Sequence, residues 1–297
     1  MPKIITIPTS PAFASSTFNL SRSVSIATSP FTGKQTTQEF DQASWSGSVI
    51  LPAMRRPEAV QWQSFLLNCK GAANYFLFTD PDGKTPRGSY SGEFLSAEHR
   101  VNSGSQVTSV TLSFSGSTIT AGTAIFDGLL AGDFFFVSGA TNEVNNGTHK
   151  ITTKTSDTVV VTSSLLTTEA NTASCTVKQN VKGAEALSLE ASAYSSTGTI
   201  LQGDYIAVYN GSSITASTPV QLVMAVEDAT VLVHGGNNHY SVAIQPKLRA
   251  DLTNGHVVGF SSTYNKSRFR LQGNEVEWSA NAANTYTGIG FEIAEVI

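Results

Sequence analysis

Only one stretch of this chain spaces its apolar residues convincingly for a helix. In RRPEAVQWQSFLLNCKG, Ala59, Trp62, Phe65, Leu66 and Cys69 recur at steps that line one helical face. Pro57 suits the first turn, where its missing N–H costs nothing, and Glu58 complements the helix dipole there. Lys70 and Gly71 form a C-terminal stop. The expected helix runs over about 57–70. Elsewhere the pattern is short and alternating. In SWSGSVIL, Trp45, Gly47, Val49 and Leu51 fall on one side and Ser44, Ser46, Ser48 and Ile50 on the other, the period of a half-buried strand. A chain with one helix and many short alternating runs is expected to be mainly β.

Its 297 residues suggest two domains or one domain carrying an insertion. Charged residues make up 13 % of the chain, about half the usual share, and Ser, Thr, Gly and Asn supply the polarity instead. Neutral polar surface costs less to bury than charge, which suits a protein partly covered by copies of itself. The balance of 18 basic and 22 acidic residues gives a net charge of −4 with no basic run. Sequence-independent nucleic-acid binding and a polybasic membrane patch both need concentrated positive charge. The apolar stretch Ile4–Ile7 is far short of the roughly 7–15 residues of a signal-peptide core. No run approaches the roughly 20 apolar residues of a membrane-spanning helix. Folding in a cytoplasm and no membrane insertion are therefore expected.

Along the chain, Thr28 to Phe40 reads as a Pro–Gly turn followed by a polar strand. Tyr75 to Phe78 reads as a buried strand that ends in a tight DPDG turn. From about 105 to 180 charge falls further, and short Ser/Thr-rich strands suggest a small inserted β domain. A faint repeat links LLAGDFFFV (Leu129–Val137) to ILQGDYIAV (Ile200–Val208), each followed by an Asn-Gly turn and two more strands. It suggests two small barrels or sandwiches. At the C-terminus a long hairpin is expected. Phe269, Leu271, Val276 and Trp278 mark one arm, NAANTY the connection, and Ile289, Phe291 and Ile293 the other arm. The expected divisions are 1–103 (a β-sandwich with the helix), 104–182 (the insertion) and 183–297 (a β module whose terminal hairpin returns to the first domain).

No catalytic, cofactor-binding or metal-binding residue is assigned. His234 and His239 frame HGGNNH, but no Cys or carboxylate nearby completes a metal set, so a plain hairpin loop is expected. Asp80 and Asp82 open DPDGK like a calcium loop, but the downstream Glu that such a loop needs is missing. No GxSxG or phosphate loop occurs. Cys69 and Cys175 lie among apolar neighbours and read as buried thiols, against a disulfide or a reactive site. Tyr240, Tyr264 and Tyr286 are candidates for a lectin-like surface, against packing on strands.

Several stretches together resemble a known family. They are SPFTG-Q at Ser29–Gln35, the strand Trp45 to Leu51-Pro52 with Met54, the helix with Trp62 and Phe65, and Gly71. They continue with Phe78, Asp80-Pro81-Asp82 and Pro86-Arg87-Gly88. GTILQGDYIAV, PKLR (Pro246–Arg249), FRL, EVEWS and Tyr286 to Glu295 follow in matching order. This pattern, over about 10–96 and 183–297, resembles the distal tail (tail-tip or baseplate) proteins of long-tailed, siphovirus-type phages. The resemblance implies a β-sandwich domain that forms a ring, commonly a hexamer, joining the tail tube protein to the hub and fibres of the virion. Residues 105–180 fall outside the pattern and read as a decoration domain facing a fibre, a neighbouring subunit or host surface glycans. A carbohydrate- or receptor-binding protein is the alternative. An envelope hydrolase is a third reading, for which no spacing of acids speaks.

Overall fold

The computed structural model describes residues 2–90, 92–191, 198–281 and 285–297, the side chain of Asp41 excepted. The chain is mainly β, with a single α-helix among the described residues. It divides into two units. The first comprises 1–82, 219–222 and 266–297, and the second 83–218 and 223–265. Residues 83–103, grouped with the N-terminal domain in the sequence reading, therefore pack with the second unit. Strands are numbered along the chain.

The first unit holds a five-stranded sheet. Its order is β1 (Ser15–Thr28), β2 (Gln35–Ile50), β21 (Gly290–Glu295), β18 (Ser267–Leu271) and β4 (Phe76–Phe78). All its neighbours are antiparallel. The alternation seen in the sequence sets the register of β2: Trp45, Val49 and, just beyond the strand, Leu51 are buried while Ile50 is exposed. The helix α1 (Arg56–Cys69) buries Ala59, Trp62, Phe65, Leu66 and Cys69. Glu58 accepts a hydrogen bond from the Arg55 amide at 3.1 Å and fixes the N-terminus. Lys70, in the left-handed conformation, ends the helix. Phe65 packs edge-on against Phe76 at 5.1 Å, and Trp62 lies 6.1 Å from Phe291. The aromatic layer under the helix thus joins strands from both ends of the chain. A small sheet of β3 (Met54–Arg55), β20 (Thr285–Thr287) and β19 (Ser279–Ala280) lies in the same unit.

The last strands belong to this N-terminal sheet, since β21 lies between β2 and β18. The long regular hairpin departs from expectation in its first arm. β18 stops at Leu271, and Trp278 is 37 % exposed. The NAANTY connection lies partly outside the described residues, which omit 282–284.

The second unit is built on a closed ring of strands. The order is β10 (Ala186–Glu190), β5 (Phe94–Ala97), β17 (Val257–Gly259), β12 (Tyr205–Tyr209), β13 (Pro219–Ala225) and β16 (Asn237–Gln245), which pairs back to β10. β15 (Leu232–His234) extends beside β16. Closure removes the sheet edges that an open sheet must otherwise protect. Tyr240, Val242, Leu187 and Leu189 fill the inside. The alternate residues Ser188, Glu190, His239 and Ser241 face outward. β11 (Thr199–Ile200) and β14 (Ala229–Thr230) pair at one end.

Between β5 and β10 the chain makes a second sheet of β6 (Val107–Ala121), β9 (Val159–Lys178), β7 (Phe134–Ser138) and β8 (Gly147–Lys154). The 20-residue β9 pairs with β8 through its first residues and with β7 through its last ones. It bends through register shifts against β6. This sheet has its own core of Leu112, Phe114, Phe126, Phe135, Ile151 and Val177, among others. Hydrogen bonds fasten it to the barrel, from the Phe134 amide to the Ser241 hydroxyl (3.0 Å) and from the Glu185 amide to the Thr148 hydroxyl (2.8 Å).

The two Gly-Asp segments adopt the same corner. Gly132 and Gly203 have φ of 98° and 95°, a region that favours glycine. Their amides donate to the carbonyls of Ile151 and Ala225, both at 2.8 Å. The amides of Ile151 and Ala225 donate back to the carbonyls of Asp133 and Asp204. Each aspartate carboxylate accepts the amide three residues earlier, Leu130 or Leu201, at 2.8 Å. The copies differ in what else the carboxylate holds. Asp204 takes the backbone amides of Arg87 and Gly88, whereas Asp133 takes the guanidinium of Arg100.

Candidate functional site

Two features stand out, one in each unit. In the first unit β1 and β2 pair from Ser15–Ile50 out to Thr28–Gln35, but β21 covers β2 only over Ser46–Ile50. Beyond that, a two-stranded ribbon continues for roughly 30 Å at about 3.3 Å per residue. The Ser29–Lys34 turn closes it, through the Ser29 amide donating to the Lys34 carbonyl. Every side chain of Ser21–Thr28 and of Phe31–Phe40 is exposed. They include Phe31 (95 %), Ile26 (61 %), Val24 and Phe40. A two-stranded ribbon with bare edges is marginal in water by itself. The sequence read its second strand correctly as polar. It gave no sign that the ribbon leaves the sheet, because neither face carries an apolar stripe.

In the second unit a polar cavity of about 600 Å³ lies against the outer face of the barrel. One wall is a row of cross-strand neighbours. Glu190 on β10 is directly opposite His239 on β16, and Asn237 on β16 is opposite His234 on β15. Glu98, just after β5, and Asn254 continue the wall, and Ser103, Asp127 and Gly128 line the cavity as well.

Arg100 organises the centre. Its side chain is 5 % exposed and Asp133 is fully buried. Its Nη1 donates to Asp133 Oδ2 at 2.8 Å, its Nη2 to Oδ1, and Nη1 also reaches the Gly128 carbonyl at 3.3 Å. Its Nε lies 3.5 Å from Glu98 Oε2. The same Glu98 oxygen is 2.6 Å from His239 Nδ1. His239 is nearly buried, and its Nε2 has no hydrogen-bond partner among the described residues. His99 Nε2 pairs with the Leu252 carbonyl at 2.8 Å, and burial lowers its pKa, which favours the neutral ring. Burial pushes the Asp127 carboxyl up. Hydrogen bonds from the Ser103 hydroxyl and the Ser103 and Gly128 amides outweigh that and hold it below the usual range. No described residue makes a hydrogen bond or ion pair with the Glu190 carboxylate.

The residues singled out from sequence fare differently. HGGNNH is indeed the turn between β15 and β16, yet both of its histidines line the cavity. Asp80 and Asp82 form a local turn in which Asp80 Oδ1 accepts the Asp82 amide at 3.2 Å. Tyr240 is buried against Tyr90, its hydroxyl donating to the Gly198 carbonyl, so it offers no surface. Tyr264 and Tyr286 are only partly exposed. Cys69 and Cys175 are free and buried. Among the described residues no three His, Cys, Asp or Glu side chains are arranged to hold a metal. No described helix is long and apolar enough to cross a membrane. Sequence reasoning missed Glu98, Arg100, Asp133 and Glu190, which the fold gathers from distant segments with no shared spacing. The search for relatives adds nothing to this geometry: no protein-family model matches the chain, and no curated protein sequence matches it.

Proposed function

We propose that the chain is a structural virion protein that forms an oligomeric ring, a hexamer, at the distal end of a phage tail, joining the tail tube to the hub and fibres. The reading assigns it no catalytic role and no cofactor. The observation that carries it is the bare β1–β2 ribbon. A two-stranded arm that exposes Phe31, Ile26, Val24 and Phe40, on a chain with 13 % charged residues, is suited to burial against another copy. Repeated head-to-tail contact of this kind closes a ring when the rotation between copies allows it. Each copy would then cover the arm edges of its neighbour. The tail-protein pattern over 10–96 and 183–297 includes this arm, with SPFTG at its tip, and supplies the tail context.

Light scattering across a concentration series tests the reading. A closed ring is expected for the intact protein, and a monomer for a variant with Ile26→Ser and Phe31→Ser. A strict monomer at high concentration, with no incorporation into tails by imaging of particles, would overturn it.

A further inference from the structure

We propose that the cavity on the barrel's outer face binds a small ligand carrying a primary ammonium group flanked by hydroxyls, an amino sugar with a free amine. The inference does not rest on the ring reading, and either can fail alone.

The argument begins with charge. Glu98, Glu190, Asp127 and Asp133 bring four carboxylates to the cavity or its immediate wall, against the single guanidinium of Arg100. Lys154, which donates to the Asp127 carbonyl, is also paired with Asp157 at 2.9 Å. The wall is therefore acidic. Arg100 is committed to Asp133 and Glu98, and Asp127 to Ser103 and Gly128. Glu190 remains uncommitted at the barrel wall, opposite His239.

The second observation is independent of the acids. His239 is 3 % exposed and lines the cavity, with Nδ1 held by Glu98 and Nε2 unpartnered. If Nδ1 carries the proton toward Glu98, Nε2 presents a lone pair and calls for a donor. A buried polar atom left without a partner is costly, so a donor here would bind with a gain. The carboxylates ask for the same thing, since ionised they only accept. An anion is disfavoured, and no described trio of side chains holds a metal.

The neutral groups refine the class. Asn237, Asn254 and Ser103 stand among the acids, and amides and hydroxyls of this kind both donate to and accept from sugar hydroxyls. A linear polyamine, which only donates, would leave the N–H and O–H donors of these groups without a partner. The volume lies within the usual range for small-ligand sites, roughly 300–1,000 Å³. Among the described residues the lining offers imidazole rings but no Phe, Tyr or Trp side chain, so the polar and charged contacts carry the described part of the affinity.

The test is calorimetric titration of the intact protein with the glucosamine dimer, its N-acetylated counterpart and spermidine, alongside NMR of the His239 ring. The expected result is binding of the free-amine dimer with a shift of the His239 ring signals. It should weaken about tenfold or more on acetylation and in Glu190→Gln, the loss of one charge-assisted hydrogen bond. Glu190 holds no described partner, so this variant should fold normally. Absence of binding, equal affinity for the acetylated dimer, an unmoved His239 ring or tighter binding of spermidine than of the sugar would each overturn the proposal.

Discussion

Replacing Asp133 by Asn tests how the inserted sheet is tied to the barrel. The substitution keeps the shape and leaves an oxygen for the Leu130 amide, 2.8 Å away in the native corner. It removes the charge that two guanidinium nitrogens of Arg100 contact in a site where the side chains are 5 % and 0 % exposed. Breaking a buried pair by deleting one partner costs roughly 3–5 kcal/mol, because the remaining charge stays desolvated. Glu98 still lies 3.5 Å from Arg100 Nε, so the lower end, about 3 kcal/mol, is expected. Asp133→Ala also orphans the Leu130 amide and should cost about 1 kcal/mol more. The double variant Arg100→Met, Asp133→Leu should recover part of the loss, since an apolar pair leaves no lone buried charge, although the Leu130 amide stays orphaned as in Asp133→Ala. The assay is urea unfolding followed by far-ultraviolet circular dichroism. All three tryptophans, Trp45, Trp62 and Trp278, lie in the first unit. Tryptophan fluorescence therefore reports that unit separately. A loss below about 1 kcal/mol for Asp133→Asn, or a double variant less stable than either single one, would refute this account of the pair.

Three further outcomes follow from the packing. Burial pushes the Glu169 carboxyl up, but hydrogen bonds from the Thr172 hydroxyl, the Thr141 and Asn142 amides and the Asn145 side chain outweigh it and hold its pKa well below the usual value. A depressed carboxylate stabilises the fold above its unfolded pKa, about 4.3, and loses that contribution as pH falls toward the folded value. Glu169→Gln should be less stable than the parent at pH 7, and the gap should narrow below about pH 4 in thermal melts. Burial raises the Cys69 thiol to about 11, so a thiol reagent at pH 8 should label it only after unfolding. Trp62→Ala empties a fully buried site and should cost about 3–5 kcal/mol, read from urea unfolding followed by circular dichroism.

What the sequence disclosed was local. The spacing of Ala59, Trp62, Phe65, Leu66 and Cys69 announced α1, and the alternation of Trp45 to Leu51 announced a strand and its buried face, because each signal lies within one element. The Gly-Asp repeat was legible for the same reason, since each corner closes on an amide three residues away. Val276 and Trp278 misled, because two alternating residues suit a strand and an exposed loop equally well. The cavity was illegible. Glu98, Glu190 and His239 become neighbours only through the pairing of β5, β10 and β16, and no spacing in the chain encodes that. His239 was visible as part of HGGNNH, but its partner Glu98 lies far upstream. Tyr240 was open between a surface role and packing on strands, and its side chain packs inside the barrel.

The position of β21 between β2 and β18 has a consequence for the order of events on the ribosome. β1, β2 and α1 emerge early, yet the strand that completes their sheet comes roughly 240 residues after β2, some 10–50 s later at about 5–20 residues per second. Through that interval the inner edge of β2 and the aromatic layer beneath α1 wait without their final neighbour, while residues 83–265 can already close their barrel. The nascent chain is thus most prone to mispairing at β1, β2 and α1. A stalled or shortened chain ending before Gly290 should retain the barrel and lose the sheet that carries the ribbon.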